Sequence, residues 1–209
     1  PLRTDADLAR LRPLAADDVP YVAETVGLVV AELPGEVPVL AFAGAPFTVA
    51  SYLIEGRPSR DYRHTKAMMH TAESLWHRVM ERLAESAIEF VDVQLTTGAR
   101  AFQLFDSWAG TLSATDYERY VLPHSRRVFA ALAERHPGVP GIHFGIGCDH
   151  LLELMASAGP QVIGLDWRTP IAAARRRLGQ PTTHESLRRA DDHGHSLHAR
   201  DVVVGRELS

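Results

Sequence analysis

Phe42-Ala43-Gly44-Ala45-Pro46-Phe47-Thr48-Val49-Ala50-Ser51-Tyr52-Leu53-Ile54-Glu55-Gly56 is the stretch from which the rest of this chain is read. The apolar run 37–42 ends in a Gly-Ala-Pro turn, and the next helix is expected to open with a hydroxyl-bearing residue. Such a strand-turn-helix brings the C-terminal end of a buried parallel strand to a binding mouth. There, backbone amides and short polar side chains can meet a ligand.

Working outward, short apolar runs bounded by Gly or Pro predict further strands at 99–105, 141–144 and 162–166. All four runs are nearly continuous in apolar residues rather than alternating, which predicts strands covered on both faces. Helical spacing fills the gaps. Residues 19–31 form one helix, and residues 71–95 a longer one whose stripe is Leu75, Val79, Leu83, Ala87, Phe90 and Val91. Ser113 is placed as an N-cap, with Asp116 in the first turn of a single helix running to about Arg135. Residues 151–158 and 171–178 are two shorter helices, the first closed by Gly159.

Alternation of strand and helix predicts an α/β fold with a parallel sheet. The predicted class is a (β/α)8 TIM-barrel type, incomplete, with about four β/α units present. The 209 residues also fall short of the roughly 250 typical of a full barrel. The chain begins at Pro1 rather than Met, so an upstream part is expected to be missing. Residues 1–180 are read as the partial barrel domain and 181–209 as a divergent polar tail. That tail carries Arg188, Arg189, Asp191, Asp192, His193, His195, His198 and Arg200, and little apolar periodicity before Val202-Val203-Val204. There are no internal repeats.

Composition narrows the function classes. At 45% hydrophobic the chain can bury a core and reads as globular. Its formal charge of −4 is mild and dispersed, which favours neither nucleic acid nor an anionic membrane as partner. No apolar run approaches the roughly 20 residues of a membrane span, and no basic-then-apolar N-terminus announces secretion. Cys148 is the single cysteine, so no internal disulfide forms; a reducing, cytoplasmic setting is expected.

The strand ends carry the chemistry, because a barrel places its site at their C-terminal face. They present Ala45-Pro46-Phe47, then Phe105-Asp106-Ser107-Trp108, His143-Phe144-Gly145 and Asp166-Trp167-Arg168. Rings with Ser, Asp, His and Arg suit a large, planar, polyanionic ligand; on composition alone, a sugar or phosphate ligand stays open. His143 reads as a hydrogen-bonded structural residue before a site residue. Asp106 stays open between an orienting role and a turn acceptor, and Arg168 between a carboxylate clamp and a structural ion pair.

The segments 37–56, Thr65-Lys66-Ala67-Met68-Met69, 98–110, 117–123, 143–147 and 152–168 resemble, in order, those of the uroporphyrinogen decarboxylases. The resemblance spans about residues 15–180. It implies a cofactor-free and metal-free enzyme of porphyrin and heme synthesis. Such an enzyme converts the four acetate arms of uroporphyrinogen to methyls, giving coproporphyrinogen, and acts as a homodimer when intact. It implies that Tyr52 hydrogen-bonds in the cleft, that Ser107 contacts a substrate carboxylate, and that Phe42 and Phe105 line the cavity. No residue is assigned as catalytic.

Departures from that pattern set the rival readings. The family's N-terminal Arg-Gln-Ala-Gly-Arg motif, its early strand-end aspartate and its late Gly-His-Gly motif have no counterparts here. A non-catalytic, truncated or degenerate family member is therefore the alternative, and this chain by itself is expected to be weakly active or inactive. Where the family runs Gly-Gly-Gly-Ser, this chain has Gly56-Arg57-Pro58-Ser59, and Arg57, Arg60 and Arg63 read as a solvated run or as a greeting for an acidic substrate. The related corrinoid-linked methyltransferases need a His-x-Cys zinc site, whereas this chain reads His143-Phe144-Gly145 and Cys148 has no partner cysteine. His184 and the His193-x-His195-x-x-His198 spacing could chelate zinc or nickel adventitiously, and no specific metal is expected there.

Overall fold

The computed structural model describes residues 1–179 and the strand at 201–204. Five strands, β1 (Leu40–Gly44), β2 (Ala101–Asp106), β3 (Gly141–Gly145), β4 (Val162–Leu165) and β5 (Asp201–Val204), form one sheet. They pair in chain order and every pair is parallel. Between β1 and β2 run α3 (Pro46–Glu55), α4 (Arg63–Thr71) and α5 (Glu73–Thr96); α6 (Ala114–Tyr120) and α7 (Leu122–Arg135) lead to β3. Helix α8 (Leu152–Ser157) leads to β4, and α9 (Ile171–Leu178) follows it, while α1 (Asp5–Arg10) and α2 (Pro20–Glu32) precede the sheet. This is the α/β architecture of an incomplete (β/α)8 barrel. Four of its strands are those expected, and Asp201–Val204 adds a fifth within the stretch read as a polar tail. The histidines at 184, 193, 195 and 198 lie outside the described residues.

The prediction that each strand is covered on both faces is wrong for the first three. Ala41, Ala43, Phe102, Leu104, Asp106 and His143 are buried, whereas their alternating neighbours stay partly open, and Phe42 is 58% exposed. The helices pack on one face only. The opposite face looks toward the axis of a barrel that these strands do not close, so an apolar run there is not a buried run. Of β1 to β4, β4 alone is buried along its whole length.

Helix α5 anchors the covered face. Trp76, Val79, Met80, Leu83, Ala84, Ala87, Ile88 and Val91 are buried, a wider band than the predicted stripe. Near its C-terminus, the Gln94 side chain reaches the β1 edge: its Nε2–H donates to the Phe42 carbonyl at 3.1 Å and its Oε1 accepts the Phe42 N–H at 3.2 Å. One side chain thus satisfies strand groups that have no neighbour on that side. Ser113 caps α6 as expected, its Oγ accepting the Asp116 N–H at 3.1 Å. The single helix expected from there to Arg135 is instead two. Pro123, in the first turn of α7, has no N–H to give, and Val121 leaves the helical region (φ −122°). Trp76 Nε1–H takes up the Tyr120 carbonyl exposed at that break, at 2.9 Å.

Candidate active site

The turn after β1 opens α3 on Pro46, not on the hydroxyl residue expected, and no side chain caps it. Proline suits that first position, where an N–H would have no helical partner. The hydroxyl comes two residues later. Thr48 Oγ1–H donates to Asp106 Oδ1 at 3.2 Å, and the same oxygen accepts the Trp108 backbone N–H at 3.4 Å. One buried threonine therefore ties the start of α3 to the end of β2 and fixes the loop that carries Ser107 and Trp108.

One turn further along α3, Tyr52 leaves the core and is 58% exposed. Its ring meets Trp108 edge-on with centroids 5.8 Å apart, and Trp108 lies 5.6 Å from Tyr62. Tyr62 adopts a left-handed φ of 50°, unusual for a bulky residue, and its N–H donates to Ser59 Oγ at 3.0 Å. Beneath the rings, Glu55 Oε1 accepts both the N–H and the hydroxyl of Thr65 at 3.0 Å. Burial pushes the Glu55 carboxyl up, but the two Thr65 bonds and His64 outweigh it and hold the group below the ordinary carboxylate range. Glu55 therefore stays ionised.

On the open face of the sheet a second aromatic group runs across three strands. Phe42 meets Phe105 edge-on at 6.1 Å, and Phe105 meets Phe144 at 5.7 Å. Phe105 is followed directly by Asp106, Ser107 and Trp108, so one strand end supplies both groups. Ser107 is half-buried on that turn. The structure thus brings Tyr52 beside Trp108 and Phe42 beside Phe105, with Ser107 in the chain between them. Sequence reasoning gave Tyr62 no role and did not foresee the partners of Thr48. A left-handed tyrosine leaves no mark in a residue pattern, and Thr48 matters only through a contact 58 positions away.

Asp106 and His143 point to the covered face and are fully buried, with His143 Nε2 3.6 Å from Asp106 Oδ2. His143 Nδ1 lies 3.4 Å from the Met155 carbonyl, and its ring packs on Phe129 at 5.2 Å. Its ring is enclosed on the covered face, away from the rings of the open face. Arg168 forms an ion pair with Asp166 at 2.8 Å and stacks over Trp167. No helix among the described residues is long and apolar enough to cross a membrane. Nor, among those residues, do three or more His, Cys, Asp or Glu side chains gather where they could hold a metal.

Fold and site together define a parallel β/α-barrel protein whose strand-end loops present aromatic rings with polar groups. The family model described as "Uroporphyrinogen decarboxylase (URO-D)" matches residues 1–184, and the chain belongs to that family. A protein of Salinispora tropica named uroporphyrinogen decarboxylase is 55% identical over 179 residues, 86% of this chain and 47% of that protein. Its namesake from Streptomyces griseus is 55% identical over 86% of this chain and 48% of its own length. The Rhodococcus opacus protein of the same name is 50% identical over 86% of this chain and 50% of its own. The chain thus spans about half the length of these relatives.

Proposed function

We propose that this chain supplies part of a cytoplasmic uroporphyrinogen decarboxylase, which removes carbon dioxide from the four acetate arms of uroporphyrinogen to give coproporphyrinogen. The observation that carries the reading is the paired aromatic groups at one strand mouth, Phe42–Phe105–Phe144 and Tyr52–Trp108, in a chain about 55% identical to proteins of that name. Flat rings offer a pyrrolic macrocycle a surface on which to pack.

The chemistry needs no metal or vitamin, because the substrate is its own electron sink. Protonation of the pyrrole carbon next to the one that bears the acetate arm makes a cationic, imine-like ring. The bond from the methylene to the carboxylate then breaks, carbon dioxide leaves, and the electron pair neutralises the ring. A proton on the exocyclic methylene makes the methyl group, and the ring carbon gives its proton back. One proton is consumed for each carbon dioxide released. In this reading Tyr52 donates a hydrogen bond in the cleft, Ser107 donates to a substrate carboxylate, and Phe42 with Phe105 lines the floor. The intact enzyme is proposed to be a homodimer.

Anaerobic incubation of the purified chain with uroporphyrinogen, separating products by carboxylate count, tests the assignment, with Tyr52→Phe run alongside. Products of lower carboxylate count that fall at least tenfold in the variant support it, a loss of about 1.4 kcal/mol of transition-state stabilisation. A folded chain that neither binds nor converts the substrate refutes it for this chain.

A further inference from the structure

The covered face of the sheet holds a group of polar side chains that the strand mouth does not use. Asp106 at the end of β2, His143 on β3, Tyr117 on α6 and Ser125 on α7 are all completely shielded from solvent. Asp106 Oδ2, His143 Nε2 and the hydroxyls of Tyr117 and Ser125 have no hydrogen-bond partner. They are neighbours. Nε2 stands 3.6 Å from Oδ2, too far for a direct bond, and both the Asp106 charge and the Ser125 hydroxyl act on the Tyr117 phenol. A buried polar atom without a partner is costly, so four in one place call for a group that joins them.

Counting hydrogens says what that group is. The Met155 carbonyl can only accept, so His143 Nδ1, 3.4 Å away, carries the ring proton. In a neutral imidazole Nε2 is then an acceptor, and it faces a second acceptor, Asp106 Oδ2. Burial and the Asp106 charge raise the Tyr117 pKa, so the phenol keeps its proton, and Ser125 brings a second hydroxyl. The other groups nearby are occupied: Asp106 Oδ1 accepts from Thr48, and the Cys148 thiol is directed to the Ile146 carbonyl at 3.5 Å. Two acceptors and two hydroxyl donors match the two donors and two acceptors of a single water molecule. A cation would leave both hydroxyl protons without an acceptor. We propose that Asp106, His143, Tyr117 and Ser125 bind one buried water, which donates to Oδ2 and Nε2 and accepts from the two hydroxyls. The consequence reaches the strand mouth. Asp106 Oδ1 holds Thr48, and Thr48 holds the Trp108 N–H, so whatever fixes the carboxylate also fixes the turn that carries Ser107. His143 and Tyr117 are thereby positioning residues for that turn, acting through Asp106.

The test uses NMR of the ¹⁵N-labelled chain at neutral pH. Long-range imidazole correlations read the His143 tautomer, and water-selected NOE spectra read a long-lived water beside its ring. A neutral Nδ1–H ring with a water NOE is expected. Tyr117→Phe and Ser125→Ala each remove one hydroxyl with little change of volume, and the double variant is expected to lose the water NOE. Amide hydrogen exchange then reads the positioning. The ratio of the Trp108 exchange rate to that of Val79, buried in α5, should rise at least about tenfold in the double variant and by less in each single one. A loss of stability alone would speed both amides without raising that ratio. A His143 ring protonated at Nε2, a wild type without the water NOE, or an unchanged ratio in all three variants overturns the proposal; the single variants decide it if the double one does not fold. No part of the test reads turnover, so its failure leaves the decarboxylase reading standing.

Discussion

Acid should unfold this protein through one histidine pair. His124, on α7, is 5% exposed, and its Nε2 lies 2.9 Å from Nδ1 of His77 on α5. Burial, the neighbouring His77 and the positive Arg127 hold its pKa at about 4, against 6.5 for an ordinary histidine. Glu73, 3.7 Å from the far nitrogen of His77, is the carboxylate facing this pair. Between those two values the unfolded chain takes up a proton that the folded chain refuses. Stability is therefore complete above pH 6.5 and is lost as the pH falls toward 4. The shift of 6.5 to about 4 is worth about 2 kcal/mol near pH 5 and about 3 kcal/mol near pH 4. A loss of about 2 kcal/mol lowers the melting midpoint by roughly 4–8 °C in a chain of this size. Urea melts from about pH 7.5 to pH 4.5, with His124→Gln as the reference, isolate this histidine from the carboxylates that titrate nearby. The wild type should lose about 2.5 kcal/mol more than the variant between the neutral and acidic ends. Equal pH dependence in the two proteins, or a His124 NMR titration midpoint near the ordinary 6.5, would refute the reasoning.

Three further outcomes are expected. Trp76→Phe should cost about 1–3 kcal/mol in urea unfolding, because the Tyr120 carbonyl at the α6–α7 break loses its donor. Trp76→Ala should cost about 3–5 kcal/mol, since a fully buried ring leaves a cavity; a negligible cost for Trp76→Phe would discount the hydrogen bond, and similar costs for the two would discount the cavity. Gly110→Ala should destabilise by about 1–3 kcal/mol. Its Cβ would stand 2.3 Å from the Ile146 carbonyl oxygen and 2.8 Å from that of Gly147, backbone atoms that cannot turn aside; an unchanged melting temperature would contradict that packing. Burial, with the charges of Asp106 and Asp166, raises the Cys148 thiol far above its ordinary pKa. A thiol-specific disulfide reagent at mildly alkaline pH should label Cys148 only after denaturant is added, and prompt labelling of the folded chain would show the site open.

The sequence by itself determined the class and the order of the elements. Apolar runs bounded by Gly and Pro marked four of the five strands among the described residues, and 3.6-residue spacing marked the long helix α5, because each pattern reports which residues must leave water locally. Ser113 was legible as a cap for the same reason: its partner lies three residues away. Tertiary structure alone decided the rest. Whether the run ending in Phe42 has one covered face or two depends on what packs opposite, not on the run itself, and Phe42 proved half open. Val202-Val203-Val204 became a strand by pairing with β4, a partner some forty positions earlier in the chain. The site followed the same division. Tyr52 and Ser107 were named from the chain, whereas the Thr48 bridge to Asp106 and the Trp108–Tyr62 wall arise from contacts between separate elements. A one-dimensional pattern records local burial and local hydrogen bonding; distances between residues far apart in the chain are set only when the sheet assembles.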